Sequence, residues 1–310
     1  MNVIEERLAA QDLIVLDGAF ATELEARGFS VNDVLWSAKA LFERPDLVRD
    51  VHLDYLRAGA NVVTSASYQA TVAGFMKRGF SEAEAVALLQ KSVHLAQEAR
   101  DLYLAERGTH EPAPLVAASV GPYGAYLADG SEYRGDYDVD EDALTEFHAG
   151  RLRVLAAAQP DLLACETLPC LIEARALMRA LRAEKIRIPA WFSFSCRDAA
   201  HISDGTEIAE CARYLDGVPE AAAIGLNCTA PQYVEELIRT IRQETAKPII
   251  VYPNSGESYD ASDKTWHGAA EDFGALARRW RSAGARLIGG CCRTSPREIA
   301  EISTWAKNAE

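Results

Sequence analysis

Eight short, almost continuously apolar runs recur along the chain, and each is followed by a longer segment in which apolar residues show helical spacing. The runs cover residues 13–19, 61–68, 114–122, 161–168, 189–196, 222–229, 248–256 and 286–292. Continuous rather than alternating apolar runs are typical of strands covered on both faces, as in a parallel sheet with helices outside it. The pattern therefore predicts eight parallel strands in successive βα units.

Residues that are typical of helix ends lie between these runs. Residues 45–59 begin with a proline at a plausible first helical position and end with a glycine, which is a common helix stop. Ser81 and Glu84 form a capping-box pattern, and Ser295 repeats this pattern with Pro296 at the first helical position. These signals predict helices that begin just after residues 44, 81 and 295.

Eight βα units in 310 residues match the size of a TIM barrel. We expect an α/β fold with one domain, a (βα)8 barrel over residues 1–310, because no linker or compositional shift divides the chain. The alternative is a doubly wound open sheet, but its first turn usually carries a glycine-rich fingerprint, and this chain has DGAFA there. Long connections after the third and seventh strands, residues 121–140 and 253–268, are rich in aromatic residues, which favours a functional role.

Composition and charge narrow the possible partners. Hydrophobic residues make up 49% of the chain and charged residues 25%, which is typical of a globular protein. The 46 acidic and 32 basic side chains give a formal charge of −14, so nucleic acids and anionic membrane surfaces would be repelled. No apolar run approaches the roughly 20 residues that span a bilayer, and the acidic N-terminus does not resemble a signal peptide. We expect a cytoplasmic monomer or small homo-oligomer.

Three of the seven cysteines fall where predicted strands end, which in a TIM barrel is the active-site face. Cys228, Cys291 and Cys292 match the three protein ligands of a catalytic zinc, because Zn²⁺ prefers thiolates and keeps a fourth position open. Adjacent cysteines can share one metal only if the strand ends before them, since neighbouring strand residues point to opposite faces. Any one of the three taken alone is better explained as a small buried hydrophobe than as a metal ligand. The remaining four we interpret as structural: Cys165, Cys170, Cys196 and Cys211.

Two acidic residues also end predicted strands. Asp17 and Glu166 could bind an ammonium group, hold a cationic substrate or act as acid and base. The alternative is that they form salt bridges at the rim with nearby arginines, namely Arg134, Arg197 or Arg293.

Other chemistries have weaker support in the sequence. Ser195 ends a strand without a histidine partner at another strand end, and no lysine ends a strand, which disfavours serine-triad and Schiff-base chemistry. His267, in the second long connection, is more typical of a solvated or capping residue than of a catalyst. The Gly289-Gly290 pair is only a weak signal for phosphate binding.

Three motifs together resemble the homocysteine S-methyltransferase family. They are LDGAFATELEARG at residues 16–28, NCT at residues 227–229 and GGCCRT at residues 289–294, and the similarity runs essentially from end to end. The segments GPYGAYLADGSEYRGDY and VYPNSGESYD are still more similar to bacterial family members that use S-methylmethionine. The resemblance implies a zinc-bearing TIM barrel whose metal ligands are Cys228, Cys291 and Cys292.

The resemblance also implies a substrate site. Asp17 and Glu166 match acids that contact the amino group of homocysteine, and Gly18 and Ala19 match a turn whose backbone lies near the amino acid. Family members that use betaine place aromatic residues around the donor, where this chain has Trp36 and Gln69, and Gln69 departs from that pattern. Tyr68 and Asn254, which lie at the ends of predicted strands, complete the expected substrate-binding set.

The expected reaction is zinc-dependent methyl transfer from S-methylmethionine to the thiolate of homocysteine, which yields methionine. A free thiol with a pKa near ~8.5 is about 3% ionised at pH 7, so full ionisation by zinc would gain roughly 30-fold. S-adenosylmethionine is the second candidate donor and betaine the third, since caging a quaternary ammonium calls for several aromatic faces. A non-catalytic zinc- or thiol-binding barrel and a phosphate-binding barrel lyase are the alternative functions.

Overall fold

A ring of eight parallel strands forms the centre of the protein. The computed structural model describes residues 1–31, 33, 35–108, 112–260, 265–267 and 272–308. The strands of the ring are β1 (Ile14–Val15), β2 (Val62–Thr64), β3 (Leu115–Val120), β4 (Leu162–Leu168), β5 (Ala190–Phe194), β6 (Ala221–Asn227), β7 (Ile249–Tyr252) and β10 (Ala285–Ile288). They are hydrogen-bonded in the order β1-β10-β7-β6-β5-β4-β3-β2, and a parallel bridge between Leu16 and Val62 joins the two ends of this series. This nearly closed ring confirms the predicted (βα)8 barrel, and the open-sheet alternative is wrong.

Helices surround the ring. They are α1 (Val3–Ala10), α2 (Phe20–Ala26), α3 (Ala40–Glu43), α4 (Pro45–Arg57), α5 (Val72–Lys77), α6 (Glu82–Arg107), α7 (Tyr123–Leu127), α8 (Glu141–Ala157), α9 (Leu171–Ala183), α10 (Ile208–Asp216), α11 (Pro231–Glu244), α12 (Phe273–Ala283) and α13 (Pro296–Asn308), with 3-10 helices at Trp36–Lys39 and Ser131–Tyr133. Within the described part of the chain, none of them combines the length and apolar character that crossing a bilayer requires.

The helix signals in the sequence correspond to observed caps. Ser81 accepts a hydrogen bond from the Glu84 backbone N–H, while the Glu84 carboxylate accepts one from the Ser81 backbone, so α6 begins with a reciprocal capping box. At the start of α13, the Glu298 carboxylate accepts from both the backbone N–H and the hydroxyl of Ser295. These contacts satisfy backbone donors that a helix N-terminus otherwise leaves unpaired.

The core has two layers. Strand residues that point into the ring fill it with apolar side chains, among them Leu16, Leu115, Trp191 and Leu287, so the barrel has a packed interior and no open channel. The residues that point outward pack against the helices and form the larger apolar cluster. With its interior filled, the barrel keeps polar side chains at the strand ends, where the site lies.

The two long connections have secondary structure of their own. Residues 121–140, between β3 and α8, contain α7 and the 3-10 helix Ser131–Tyr133, and we call this segment the β3–α8 loop. The connection after β7 contains a two-stranded antiparallel hairpin, β8 (Ser258–Asp260) and β9 (Thr265–His267). Residues 261–264 and 268–271, and the side chain of His267, lie outside the part of the chain that the structure describes.

A buried carboxylate fastens both ends of the β3–α8 loop. Glu173, in the first turn of α9, is fully buried and accepts hydrogen bonds from the Tyr123 backbone N–H at 2.5 Å and from the Tyr137 hydroxyl at 2.9 Å. The Nε2 atom of His148, on α8, lies 2.8 Å from the same carboxylate. Burial lowers the pKa of His148, so a neutral imidazole that donates from Nε2 suits this contact. Glu173 thus positions the loop over the C-terminal face of the barrel.

Candidate active site

Three cysteine sulfurs come together at the C-terminal face of the barrel. Cys228 follows β6, and its Sγ atom lies 3.2 Å from Sγ of Cys291 and 3.6 Å from Sγ of Cys292. Among the described residues, these three form the one group of three or more histidine, cysteine or acidic side chains whose ligand atoms all lie within 4.8 Å of one another. The cluster is therefore a candidate metal centre.

The turn after β10 explains how adjacent cysteines reach one point. β10 ends at Ile288, so Cys291 and Cys292 lie in a turn that is free of the strand's alternation. The Cys291 backbone N–H donates to the carbonyl of Pro253 at 2.7 Å, and the Cys292 backbone N–H donates to Oδ1 of Asn254 at 3.2 Å. The segment that follows β7 therefore holds both cysteines in place, and Asn254 contacts the metal-site backbone.

The three cysteines affect one another's pKa values. Hydrogen bonds from Cys291 and Cys292 lower the pKa of Cys228 well below its usual value, and the same contacts raise the pKa values of Cys291 and Cys292 well above theirs. A cation bound to the three sulfur atoms would favour the thiolate form of each cysteine. Burial raises the pKa of each of the other cysteines, Cys165, Cys170, Cys196 and Cys211, and all four are buried outside this cluster.

Asp17 and Glu166 form an acidic pair at the same face. Each is only 8% exposed, and burial raises the pKa of both carboxyls to about 7, with the charge of Glu166 adding to the rise at Asp17. No basic side chain of the described residues lies within ion-pair distance of either acid. The arginines considered as alternative partners pair elsewhere: Arg134 with Asp136, Arg197 with Asp198 and Arg293 with Glu257. The pair can therefore accept a cation.

Hydroxyl groups hold these acids in place. Asp17 accepts hydrogen bonds from the Thr64 backbone N–H at 2.7 Å and from the Thr64 hydroxyl at 3.2 Å. Glu166 accepts from the Ser119 hydroxyl and, at 3.0 Å, from the hydroxyl of Tyr252 at the end of β7. Each carboxylate is thus oriented by donors from other strands of the barrel and keeps lone pairs for a ligand.

Tyr252 connects Glu166 to a buried polar network that sequence reasoning missed. Its hydroxyl lies 2.6 Å from the Ser193 hydroxyl and accepts from Nε1 of Trp191 at 3.0 Å. Ser193 in turn donates to Oδ1 of Asn227, the residue before Cys228. Tyr252 belongs to an apolar run, so only the register of β4 to β7 shows that its hydroxyl reaches Glu166.

Gly18 and Ala19 form the tight turn between β1 and α2. A Cβ atom at Gly18 would lie 2.8 Å from the Thr294 hydroxyl and 2.9 Å from the Tyr55 ring, so no side chain fits there. The Ala19 backbone N–H donates to the Thr294 hydroxyl at 3.2 Å, and its carbonyl accepts from the Tyr55 hydroxyl at 3.0 Å. The turn is rigid and lies beside Asp17.

The predicted donor-side residues lie next to one another. Trp36 and Tyr68 are both half-buried, and their rings meet edge to face with centroids 5.9 Å apart. Gln69, also half-buried, follows Tyr68 after β2. The β3–α8 loop adds Tyr133, which sequence reasoning did not single out and whose hydroxyl lies 3.5 Å from Sγ of Cys228. Tyr133 thus places an aromatic ring beside the cysteine cluster.

Comparison with known proteins identifies the family. A family model described as homocysteine S-methyltransferase matches residues 14–306. The chain belongs to the homocysteine S-methyltransferase family. It is 55% identical to the homocysteine S-methyltransferase YbgG of Bacillus subtilis over 312 residues, which cover 99% of each chain. It is 53% identical to a homocysteine S-methyltransferase of Escherichia coli over 97% of each chain. Members of this family are methyltransferases, and methyl transfer to homocysteine is the reaction that these similarities support.

The fold of a solved family member agrees with this assignment. The metallated form of the homocysteine methyltransferase MmuM from Escherichia coli matches this chain with a TM-score of 0.89 and 49% identity. The match covers 98% of this chain and 100% of that chain. The expected family and barrel are confirmed, and the three clustered cysteines fit a metal site.

Proposed function

We propose that the protein transfers a methyl group from S-methylmethionine to homocysteine in a zinc-dependent reaction, with residues 1–310 acting as one domain. The observation that carries this proposal is the three-thiol cluster at the same face as a buried pair of carboxylates, neither of which forms a salt bridge with another described residue. A thiol-bearing amino acid presents the two complementary groups, a sulfur for the metal and an ammonium for the acids. Its substrates are therefore small molecules, with homocysteine as the methyl acceptor.

The sulfur atoms fit zinc. A tetrahedral site with Zn–S lengths of about 2.3 Å places its sulfur atoms roughly 3.8 Å apart. The Sγ atom of Cys228 lies 3.2 Å from that of Cys291 and 3.6 Å from that of Cys292. Small side-chain movements would bring both distances to the value for zinc. Zinc bound to the three cysteines would leave one position for the homocysteine sulfur and supply it as a thiolate, which is the methyl acceptor. The similarity to a family member with a metallated form supports this assignment.

The acids would position homocysteine. Ionised Asp17 and Glu166 can accept charge-assisted hydrogen bonds from its ammonium group, while the turn at Gly18 and Ala19 borders the same space. With the ammonium and the sulfur both held, the nucleophile has a defined orientation. Orientation of this kind contributes several kcal/mol to an otherwise bimolecular step.

With a sulfonium donor, the atoms and charges of the methyl transfer balance. The acceptor thiol loses its proton, its sulfur forms a bond to the methyl carbon, and the bond from that carbon to the donor sulfur breaks. S-methylmethionine leaves as methionine and homocysteine becomes methionine, so two methionines and one proton result. Opposite charges are lost together on transfer, and exclusion of water from the reacting groups would favour that loss. Trp36 and Tyr68 supply two aromatic faces, whereas Gln69 offers none for a quaternary ammonium.

The metal-site assignment is tested by replacing Cys228, Cys291 and Cys292 one at a time with alanine. Each variant should lose most of its zinc and at least 100-fold of its methionine formation from homocysteine and S-methylmethionine. Cys165→Ala is the matched control, because Cys165 is buried in the same barrel outside the cluster. Full zinc content in the three variants would refute the assignment.

A further inference from the structure

One acid of the β3–α8 loop turns inward, while two others in the same loop do not. Asp129 is exposed, and its carboxylate caps the Ser131 backbone N–H at 2.9 Å. Asp136 is also exposed and pairs with Arg134. Glu132, by contrast, is half-buried, and its Oε2 atom is shielded from solvent with no hydrogen-bond partner among the described residues.

The backbone of Glu132 is held firmly in this position. A Cβ atom at Gly124, in α7, would lie 2.3 Å from the Glu132 nitrogen, so the 3-10 helix packs directly on the α7 backbone. The Ser195 hydroxyl, beyond the end of β5, reaches the Glu132 carbonyl at 3.4 Å. The next residue, Tyr133, places its hydroxyl 3.5 Å from Sγ of Cys228. Glu132 therefore lies at the mouth of the cysteine cluster.

The electrostatic surroundings of this carboxylate are unfavourable without a ligand. Burial raises the pKa of Glu132, because the surrounding protein removes water from its carboxylate. Desolvation raises the pKa of the half-buried Tyr68, and the charge of the Glu132 carboxylate raises it further. A shielded carboxylate oxygen with no donor is costly, and a bound cation would offset that cost.

We propose that Glu132 recognises the positive charge of the methyl donor and sets the preference for a sulfonium over the corresponding neutral thioether. This inference rests on the proposed function, and it names one residue that recognises the positive charge of the donor. A sulfonium carries no N–H or O–H group, so an oxygen without hydrogen-bond partners suits it. Because the positive charge disappears as the methyl group leaves, Glu132 stabilises the bound donor more than the transition state.

The test compares Glu132→Gln with Asp136→Asn, an exposed acid from the same loop. Calorimetric titration of metal-loaded protein without homocysteine gives the affinities for S-methylmethionine and for methionine, its neutral thioether. We expect Glu132→Gln to lower the affinity for S-methylmethionine at least tenfold and the affinity for methionine less than twofold. Asp136→Asn should change neither, and Glu132→Asp should retain most of the sulfonium affinity. In turnover, KM for S-methylmethionine should rise while kcat stays the same or increases.

Two results would overturn the inference. Unchanged S-methylmethionine affinity in Glu132→Gln would show that the carboxylate does not contact the donor. An equal loss for both ligands would place the contact at the ammonium group that they share. If the wild-type protein binds S-methylmethionine but forms no methionine, the proposed function fails, and the calorimetric comparison still tests Glu132.

Discussion

Asp17 and Glu166 have opposite effects on stability and on the proposed function. Both are buried, and desolvation raises the pKa of each to about 7. An isosteric amide at either position removes a buried charge and also removes an acceptor for the ammonium of homocysteine. The two acids therefore allow predictions on binding and on stability that have opposite signs.

Replacement of either acid by its amide should weaken homocysteine binding. Asp17→Asn and Glu166→Gln should each raise KM for homocysteine about tenfold or more, because each loses one charge-assisted hydrogen bond of about 2 kcal/mol. Zinc content, measured by atomic absorption, should stay near that of the wild type, since neither acid belongs to the cysteine cluster. Unaltered homocysteine KM in both variants would assign these residues a purely structural role.

The pH dependence of stability follows from the same pKa values. Between about pH 4 and pH 7 the unfolded chain has ionised carboxylates, while the folded protein keeps Glu166 protonated. The unfolded state then binds fewer protons than the folded state, so stability falls as pH rises through this window, by about 1.4 kcal/mol per pH unit for one such group. Glu166→Gln should flatten this fall, and denaturant unfolding of both proteins at pH 5 and pH 8 measures it. An unchanged difference between the two pH values would refute the buried-charge account.

At the scale of elements, the strands were predictable because a sheet covered on both faces needs continuous apolar runs. Each of the eight predicted runs overlaps an observed strand, but the strands are shorter, as with residues 13–19 and β1, Ile14–Val15. The runs extend past the strands because site residues such as Asp17 and Gly18 follow them directly. Capping signals at Ser81 and Ser295 identified α6 and α13 because a cap is a local interaction.

The site was predictable in its chemistry and less so in its contacts. Strand-end position marked the three cysteines and the acids Asp17 and Glu166, whereas their partners come from other strands. In the sequence, Tyr252 looks like any aromatic strand residue. Its role follows only from the barrel register, which places its hydroxyl beside Glu166. Tyr133 lies in a loop whose path depends on the distant Glu173, and no local pattern in the sequence encodes that path.

The β3–α8 loop should loosen when its anchor is weakened. Tyr137→Phe removes a donor from the fully buried Glu173 carboxylate, which should cost about 1–3 kcal/mol of stability and increase amide hydrogen exchange within residues 121–140. Tyr126→Phe is the control, because the Tyr126 hydroxyl has no hydrogen-bond partner among the described residues. Equal exchange in the two variants would show that Glu173 does not fasten the loop.

At the scale of the whole molecule, the barrel brings together groups that are far apart in sequence. Cys228 follows β6, while Cys291 and Cys292 follow β10, and β7 lies between these strands in the sheet. Asp17 follows β1 and Glu166 lies in β4, so the acidic pair spans another part of the ring. The barrel thus brings the cysteine cluster, a candidate metal centre, and the buried acidic pair to the same face.

The central claim is tested most directly by kcat/KM of the zinc-loaded protein for three donors at saturating homocysteine, with methionine as the measured product. The acids Asp17 and Glu166, and Gln69 beside the Trp36–Tyr68 pair in place of a further aromatic ring, predict that S-methylmethionine ranks first, S-adenosylmethionine second and betaine a distant third. Removal of zinc by a chelator should abolish turnover with all three. A clear preference for betaine, or full turnover without zinc, would contradict the account.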